Sequence, residues 1–166
     1  MASRKPTAAE MGFLLFFHAT ISGAFFAAYL TGDEDTYGIH VFSGYAVLGA
    51  VALRLIIGLV ASSASPLRLP RSKLRATGDY MRRLVFGDAR ARTERSPLYA
   101  WMAVAMLIAA GLAAATGAVA DFVVRLEDVH EFLGEFALWI ALAHIAIVLV
   151  LHALKRSARP APLSAP

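Results

Sequence analysis

The chain contains no cysteine, and it has few charged residues for its length. Of its 166 residues, 17% are charged and 58% are hydrophobic. The lack of cysteine excludes disulfide bonds, thiolate-held iron–sulfur clusters and the covalent attachment of a c-type haem. The scarcity of charge argues against an ordinary soluble domain and indicates an integral membrane protein. We therefore expect one compact membrane domain.

Four long apolar runs divide the chain. A helix needs about 20 apolar residues to cross a bilayer, and the runs cover residues 11–30, 40–61, 98–119 and 129–154. The polar segments between and around them are the N-terminal segment 1–10, a loop at 62–97 and a tail at 155–166. Because the other connections are short, we predict an all-α, four-helix up-down bundle in the membrane over residues 11–154.

The positive charges fall almost entirely on one side of these predicted spans. Two Lys or Arg precede the first span, nine lie in the long loop and three lie in the tail. Arg125 alone lies in a connection on the opposite side. The positive-inside rule therefore predicts that both termini and the long basic loop are cytoplasmic.

Within the basic loop, apolar residues alternate with Lys and Arg over residues 74–86. This pattern is typical of a short interfacial helix that lies on anionic lipid. It is equally typical of a solvated basic loop that only sets the topology. The sequence leaves both interpretations open.

Four of the five histidines fall at two depths in this topology. His40 and His130 each begin a span at the outer face, whereas His18 and His144 lie in the cytoplasmic halves of their spans. The fourteen residues from His130 to His144 make nearly four helical turns, so both imidazoles share one face, about 21 Å apart. Polar side chains inside a membrane are costly and usually have a partner. The sequence predicts two pairs, His40 with His130 and His18 with His144.

Two histidines per site limit what could be bound there. Zinc takes four protein ligands, or three and a water, and no acidic residue accompanies the inner pair. Haem iron needs only axial ligands from the protein, because the porphyrin supplies four nitrogens. The large apolar macrocycle belongs between the helices of a bundle. We therefore predict two b-type haems with the four histidines as axial iron ligands, although a single histidine taken alone would favour a hydrogen-bonded structural role.

Two further polar residues lie in or near the spans. Arg54 follows His40 by fourteen residues, which predicts the same helix face at the depth of the inner haem. A guanidinium matches the carboxylate of a haem propionate, and snorkelling to the headgroups is an alternative or additional role. His152 is expected at the cytoplasmic interface, mainly as an interfacial polar residue and less as a group for quinone binding or proton uptake.

These features resemble the bacterial cytochrome b561 family, which includes the b-type cytochrome subunits of nickel–iron hydrogenases. The resemblance covers about residues 11–154. It rests on His18, the block IHVFSGYAVLGAVALRLIIGLV with His40 and Arg54, a third span from SPLYAWM to TG, and the stretch DVHEFLGEFALWIALAHIAIVLVLH. It implies a multi-pass bacterial inner-membrane protein with two haem b groups, electron exchange with quinone, and axial ligands at His18, His40, His130 and His144. Membrane lipid is an expected partner and nucleic acid is not.

The predicted function is electron transfer across the membrane between an outer redox partner and the quinone pool. Bis-histidine ligation fills all six iron positions, which favours one-electron shuttling over oxygen binding. The outer connections are acidic, so they would attract a basic protein such as a c-type cytochrome and repel an anionic substrate.

Other functions stay open. Within the family, the alternatives are superoxide oxidation coupled to quinone reduction, or a role as the membrane anchor of a larger oxidoreductase, so whether the protein is an enzyme is undecided. A haem-free membrane scaffold or transporter subunit is the alternative of a different class.

Overall fold

The computed structural model describes residues 4–70, 73–120 and 122–157, and this part of the chain is helical without strands. The helices are α1 (Ala8–Leu30), α2 (Tyr37–Val60), α3 (Leu74–Val85), α4 (Ala89–Thr93), α5 (Leu98–Ala120) and α6 (Glu127–Ser157). Short 3₁₀ turns at Glu34–Thr36 and Val124–Leu126 precede α2 and α6. Three charged residues used in the predicted charge pattern lie outside the described residues, namely Arg71, Asp121 and Arg159. The part of the tail beyond residue 157 also lies outside them.

Four of these helices are long and apolar enough to cross a membrane, namely α1, α2, α5 and α6. The candidate spans of α2 and α6 include the 3₁₀ turns that precede them. The prediction of an all-helical protein with four membrane-spanning segments is confirmed at this level. The helix ends differ from the predicted runs by at most three residues. Large apolar side chains such as Phe42, Val60 and Trp139 are exposed on the helix surfaces, as expected for faces that contact lipid.

The start of α1 is fixed by a reciprocal cap. The Thr7 hydroxyl accepts a hydrogen bond from the Glu10 backbone N–H, and the Glu10 carboxylate accepts one from the Thr7 backbone N–H at 2.8 Å. Such a capping box satisfies two backbone donors that the helix cannot satisfy itself. Glu10 also accepts hydrogen bonds from Arg4 at 2.7 Å and from the Ser65 hydroxyl at 2.8 Å. The beginning of α1 is thereby tied to the segment that follows α2.

The long helices pack in chain order, α1 against α2, α2 against α5 and α5 against α6. Small residues permit this close approach, and the buried core between α2, α5 and α6 consists of Val47, Val51, Ala109, Ala110, Ala113, Ala137 and Ala141. Among the described residues, α6 makes no comparable backbone contact with α1 or α2. Space therefore lies between α6 and these two helices, and the histidines border it.

The segment between α2 and α5 is folded. α3 packs on α4, and α4 packs on α6. Tyr80, Ala91 and Ser96 are buried in this segment. Trp101, in the first turn of α5, donates a hydrogen bond from its indole nitrogen to the Thr77 hydroxyl on α3 at 3.0 Å. α3 is thus held beside the beginning of a membrane-spanning helix.

Candidate functional site

Four histidines meet in two pairs between the long helices. His40 on α2 and His130 on α6 have ring centroids 5.8 Å apart, with their planes inclined by 74°. His18 on α1 and His144 on α6 have centroids 6.4 Å apart, with an inclination of 64°. The structure thus brings together the same partners that their depths in the spans predict. In both pairs, side chains reach across a space that the helix backbones do not close.

Backbone carbonyls hold both rings of the first pair. His40 Nδ1 lies 2.8 Å from the carbonyl oxygen of Ala28, and His130 Nδ1 lies 2.9 Å from that of Ala113. A carbonyl oxygen can only accept, so each Nδ1 carries a proton and donates it. In the neutral form of such a ring, Nε2 carries the lone pair. This is the form in which histidine binds a metal, with its other ring nitrogen oriented by a hydrogen bond.

A cavity of about 690 Å³ lies beside this first pair, and we call it the His40–His130 cavity. Its volume falls within the range of roughly 300–1,000 Å³ that is usual for ligand sites. Gly44 and Gly134 line it, and each follows a histidine by four residues on the same helix. Residues four apart share a helix face, and a Cβ built at either glycine meets nothing within 4 Å. Each imidazole therefore has open space one turn along its own helix.

Three carboxylates line the same cavity at four-residue spacing along α6, namely Glu127, Glu131 and Glu135. Among the described residues that line it, none is Lys or Arg. These side chains give the cavity a negative potential. Reasoning from the sequence missed Glu131 and Glu135, although a charged residue within an apolar span is itself a signal of function.

Gly117 on α5 makes room for the His130 ring. A Cβ added to Gly117 would lie 2.7 Å from Cε1 of His130 and 3.1 Å from its Nδ1. The first distance is too short for two carbon atoms, so any larger residue would displace the ring. Ala113, which accepts the hydrogen bond from His130, lies one turn earlier on the same helix. One stretch of α5 therefore both orients the ring and leaves space for it.

The second pair borders a smaller cavity of about 250 Å³, which we call the His18–His144 cavity. Residues of α1, α5 and α6 line it, among them Phe26, Met106 and Ala141. Nδ1 of His144 is buried and has no hydrogen-bond partner among the described residues. Leaving a buried polar atom unpaired costs about 1–3 kcal/mol. The His18–His144 pair therefore combines a ring nitrogen that has no partner among the described residues with an apolar space beside the rings.

The spacing of the imidazoles fits one metal atom between each pair. A bond from an imidazole nitrogen to a divalent first-row metal measures about 2.0–2.1 Å, with zinc as the standard. Two such bonds and about one ring radius on either side place the centroids roughly 6 Å apart. Among the described residues, no three His, Cys, Asp or Glu side chains come together that could hold a bare metal ion. A metal in either place would take its other ligands from water or from a cofactor.

Arg54 and His152 lie apart from both cavities. Arg54 is buried, and its Nη1 donates a hydrogen bond to the carbonyl oxygen of Leu67 at 2.7 Å. The same nitrogen would lie 2.8 Å from a Cβ at Gly58. The guanidinium therefore holds the segment that follows α2, and the described linings of the two cavities do not include it. His152 is exposed near the end of α6.

Compared with known protein-family models, curated proteins and solved structures, the chain matches none of them significantly.

Proposed function

We propose that this protein is a di-haem b-type cytochrome of the bacterial cytoplasmic membrane, which transfers electrons between a periplasmic redox partner and quinone. The observation that carries the proposal is the presence of two imidazole pairs with centroid spacings of 5.8 and 6.4 Å. With such spacings, the two imidazoles of each pair would be able to hold one haem iron between them. When bound, the two haems supply one-electron transfer without an open iron position for oxygen.

The His40–His130 pair is prepared for such a role by its surroundings. The carbonyls of Ala28 and Ala113 fix both tautomers, so that each Nε2 is available as a ligand. Gly44 and Gly134 leave open walls on the two helices that carry the histidines. This open space would accommodate part of a porphyrin held by the two histidines.

The His18–His144 pair fits a haem on one condition. Its cavity of about 250 Å³ is smaller than the roughly 300 Å³ at which ligand sites usually begin. A macrocycle would therefore require α1 and α6 to move apart. These helices are not packed closely together among the described residues, so their separation would disrupt few contacts. The unpartnered Nδ1 of His144 also favours a ligand in this space.

The proposed orientation follows from charge. Fourteen of the sixteen Lys and Arg residues lie in the N-terminal segment, the loop 62–97 and the tail. An up-down bundle with both termini in the cytoplasm places all of them on one side. The His40–His130 cavity then faces the periplasm, and the His18–His144 cavity lies in the cytoplasmic half.

The resemblance to the cytochrome b561 family supports quinone as one redox partner. The proposed periplasmic side carries the carboxylates of Glu127, Glu131 and Glu135. It also carries the acidic turn before α2, which consists of Asp33, Glu34 and Asp35. These charges favour a cationic partner, such as a basic c-type cytochrome. The same charges disfavour superoxide, an anion, as a substrate. A role as the electron-transfer subunit of a larger oxidoreductase is compatible with the same site.

An optical difference spectrum of the purified protein, reduced minus oxidised, tests the proposal. We expect the bands of b-type haem, and two haems per chain by pyridine haemochrome analysis. A purified, folded protein that takes up no haem when its cofactor is supplied during expression would contradict the proposal. It would favour a haem-free scaffold or transporter subunit.

A further inference from the structure

Helix α3 (Leu74–Val85) carries an exposed apolar face that the long helices do not cover. We propose that α3 is an anchor on the membrane surface, which inserts this face at the acyl boundary and binds anionic phospholipid headgroups with its arginines. This inference rests on the membrane-spanning helices and on α3 itself. It is independent of the haem proposal.

Two sides of α3 have different surroundings. At about 100° per residue, Leu74, Met81 and Val85 lie within roughly 40° of one another. Leu74 is 78% exposed and Val85 is 76% exposed. Tyr80, which is buried, and Thr77, which contacts Trp101, lie on a second side. The apolar stripe is thus roughly perpendicular to the side that packs on the protein.

The position of α3 places the stripe at the level of the lipid. Trp101 belongs to the first turn of α5, which is a candidate membrane span, and its indole nitrogen donates to Thr77. Tryptophan favours the membrane–water interface because one edge of its ring is polar. A helix bonded to this residue lies beside the bilayer surface. Its exposed apolar face then has acyl chains rather than water as the favourable environment.

The charges around α3 select the kind of lipid. Arg75 and Arg82 lie at roughly 80–100° from Leu74, at the edge of the apolar stripe, and both are exposed. Arg83 lies on the opposite side, roughly 180° from Leu74, and its guanidinium is paired with Glu94 and lies near Asp88. Arg82 also lies 4.0 Å from the Asp79 carboxylate, but both side chains are more than 70% exposed, so this weak surface pair leaves the guanidinium accessible to lipid phosphates. Arg83, which faces away from the stripe, is instead paired with Glu94 within the protein. This arrangement favours an anionic membrane surface as the occupant.

The absence of cysteine from the sequence permits a direct test with single-cysteine variants. Val85→Cys places an environment-sensitive dye on the stripe, and Ala76→Cys places it about 200° from Leu74 as the matched control. The full-length protein is reconstituted in nanodiscs that contain phosphatidylglycerol and a lipid with a nitroxide on its acyl chain. We expect blue-shifted emission and strong nitroxide quenching at Val85→Cys, and quenching by aqueous iodide at Ala76→Cys. Equal iodide quenching at both positions would show that the apolar stripe of α3 faces water and would overturn the proposal.

The choice of headgroup is tested by repeating the measurement in nanodiscs of phosphatidylcholine alone. Each arginine near an anionic surface strengthens membrane contact roughly fivefold, so we expect nitroxide quenching at Val85→Cys to fall by a factor of several without phosphatidylglycerol. The variant Arg75→Gln/Arg82→Gln should lose this difference between the two lipids. Equal quenching in both lipids for the parent chain would overturn the role of anionic headgroups. Arg90→Gln/Arg92→Gln, on α4, is the control and should keep the difference.

Discussion

His40 and His130 lie on helices that, among the described residues, make no backbone contact comparable to those of the neighbouring helix pairs, yet their ring centroids are only 5.8 Å apart. The rings reach this position because α5 packs between α2 and α6 with small residues, and because each Nδ1 donates to a backbone carbonyl. The carbonyl acceptors belong to α1 and α5 rather than to the helices that carry the histidines. Three helices besides α6 thus contribute to placing the two imidazoles at one cavity.

Substitution of a histidine should remove one haem and spare the other. We expect His40→Ala or His130→Ala to retain one haem per chain, because His18 and His144 belong to a separate cavity. The double variant His18→Ala/His130→Ala should lose both haems. Haem is counted by the pyridine haemochrome method.

The exposed His152 provides the matched control for these variants, and His152→Ala should keep two haems. Retention of one haem in the His18→Ala/His130→Ala variant would contradict the pairing, since the pairing leaves neither site with two ligands.

Gly117→Ala should disturb the His130 site. The new methyl group would lie 2.7 Å from Cε1 of His130, and overpacking of this kind costs about 1–3 kcal/mol. We expect a lower melting temperature and loss or spectral change of one haem. Gly49→Ala is the control, because a Cβ there meets nothing within 4 Å. Identical spectra and stability for the two variants would show that the ring does not depend on this space.

Arg54→Ala should lower stability more than it alters the haems. The substitution leaves the Leu67 carbonyl without its donor, and such a loss costs about 1–3 kcal/mol. Thermal unfolding in detergent should therefore shift downward, while the midpoint potentials of both haems stay close to those of the parent. A shifted potential of the inner haem at unchanged stability would instead assign the guanidinium to a haem propionate.

The acidic turn before α2 should guide the approach of a basic redox partner. We expect neutralisation of Asp33, Glu34 and Asp35 together to slow electron exchange with a basic c-type cytochrome and to flatten its salt dependence, with both haem spectra intact. Screening explains the salt effect, because the Debye length falls from about 10 Å at 0.1 M to about 3 Å at 1 M. Stopped-flow kinetics at several ionic strengths measure it.

Asp79→Asn serves as the control for this triple variant. Asp79 lies on α3, at the end of the long helices opposite to the acidic turn, so its substitution should leave the kinetics unchanged. If the triple variant reacts as fast as the parent at low salt, the acidic turn has no role in docking.

The orientation can be tested without any haem measurement. A reporter that is active only in the periplasm, fused after Pro166, should be silent, because the distribution of positive charge predicts a cytoplasmic tail. A reporter that is active only in the cytoplasm should be functional at the same position. The opposite pattern would exchange the two faces of the protein, and with them the assignment of the outer and inner haem.

The sequence by itself determined the four apolar segments, since their length and lack of charge leave a membrane-spanning helix as the favourable structure. It also determined that His130 and His144 share one face of α6, because fourteen residues make nearly four turns. Both properties are local and follow from helix periodicity and composition. The apolar and basic pattern of residues 74–86 is less decisive, since it is equally typical of an interfacial helix and of a solvated loop, and only the structure shows the helix Leu74–Val85.

Tertiary structure decided what each polar side chain meets. Ala28 accepts from His40 across twelve residues of sequence, and Ser65 donates to Glu10 across fifty-five. Arg54 has the helical position expected of a propionate partner, yet it bonds to Leu67 because the chain after α2 folds back over it. Such contacts depend on how the segments between helices are placed, and no periodicity within one helix encodes them.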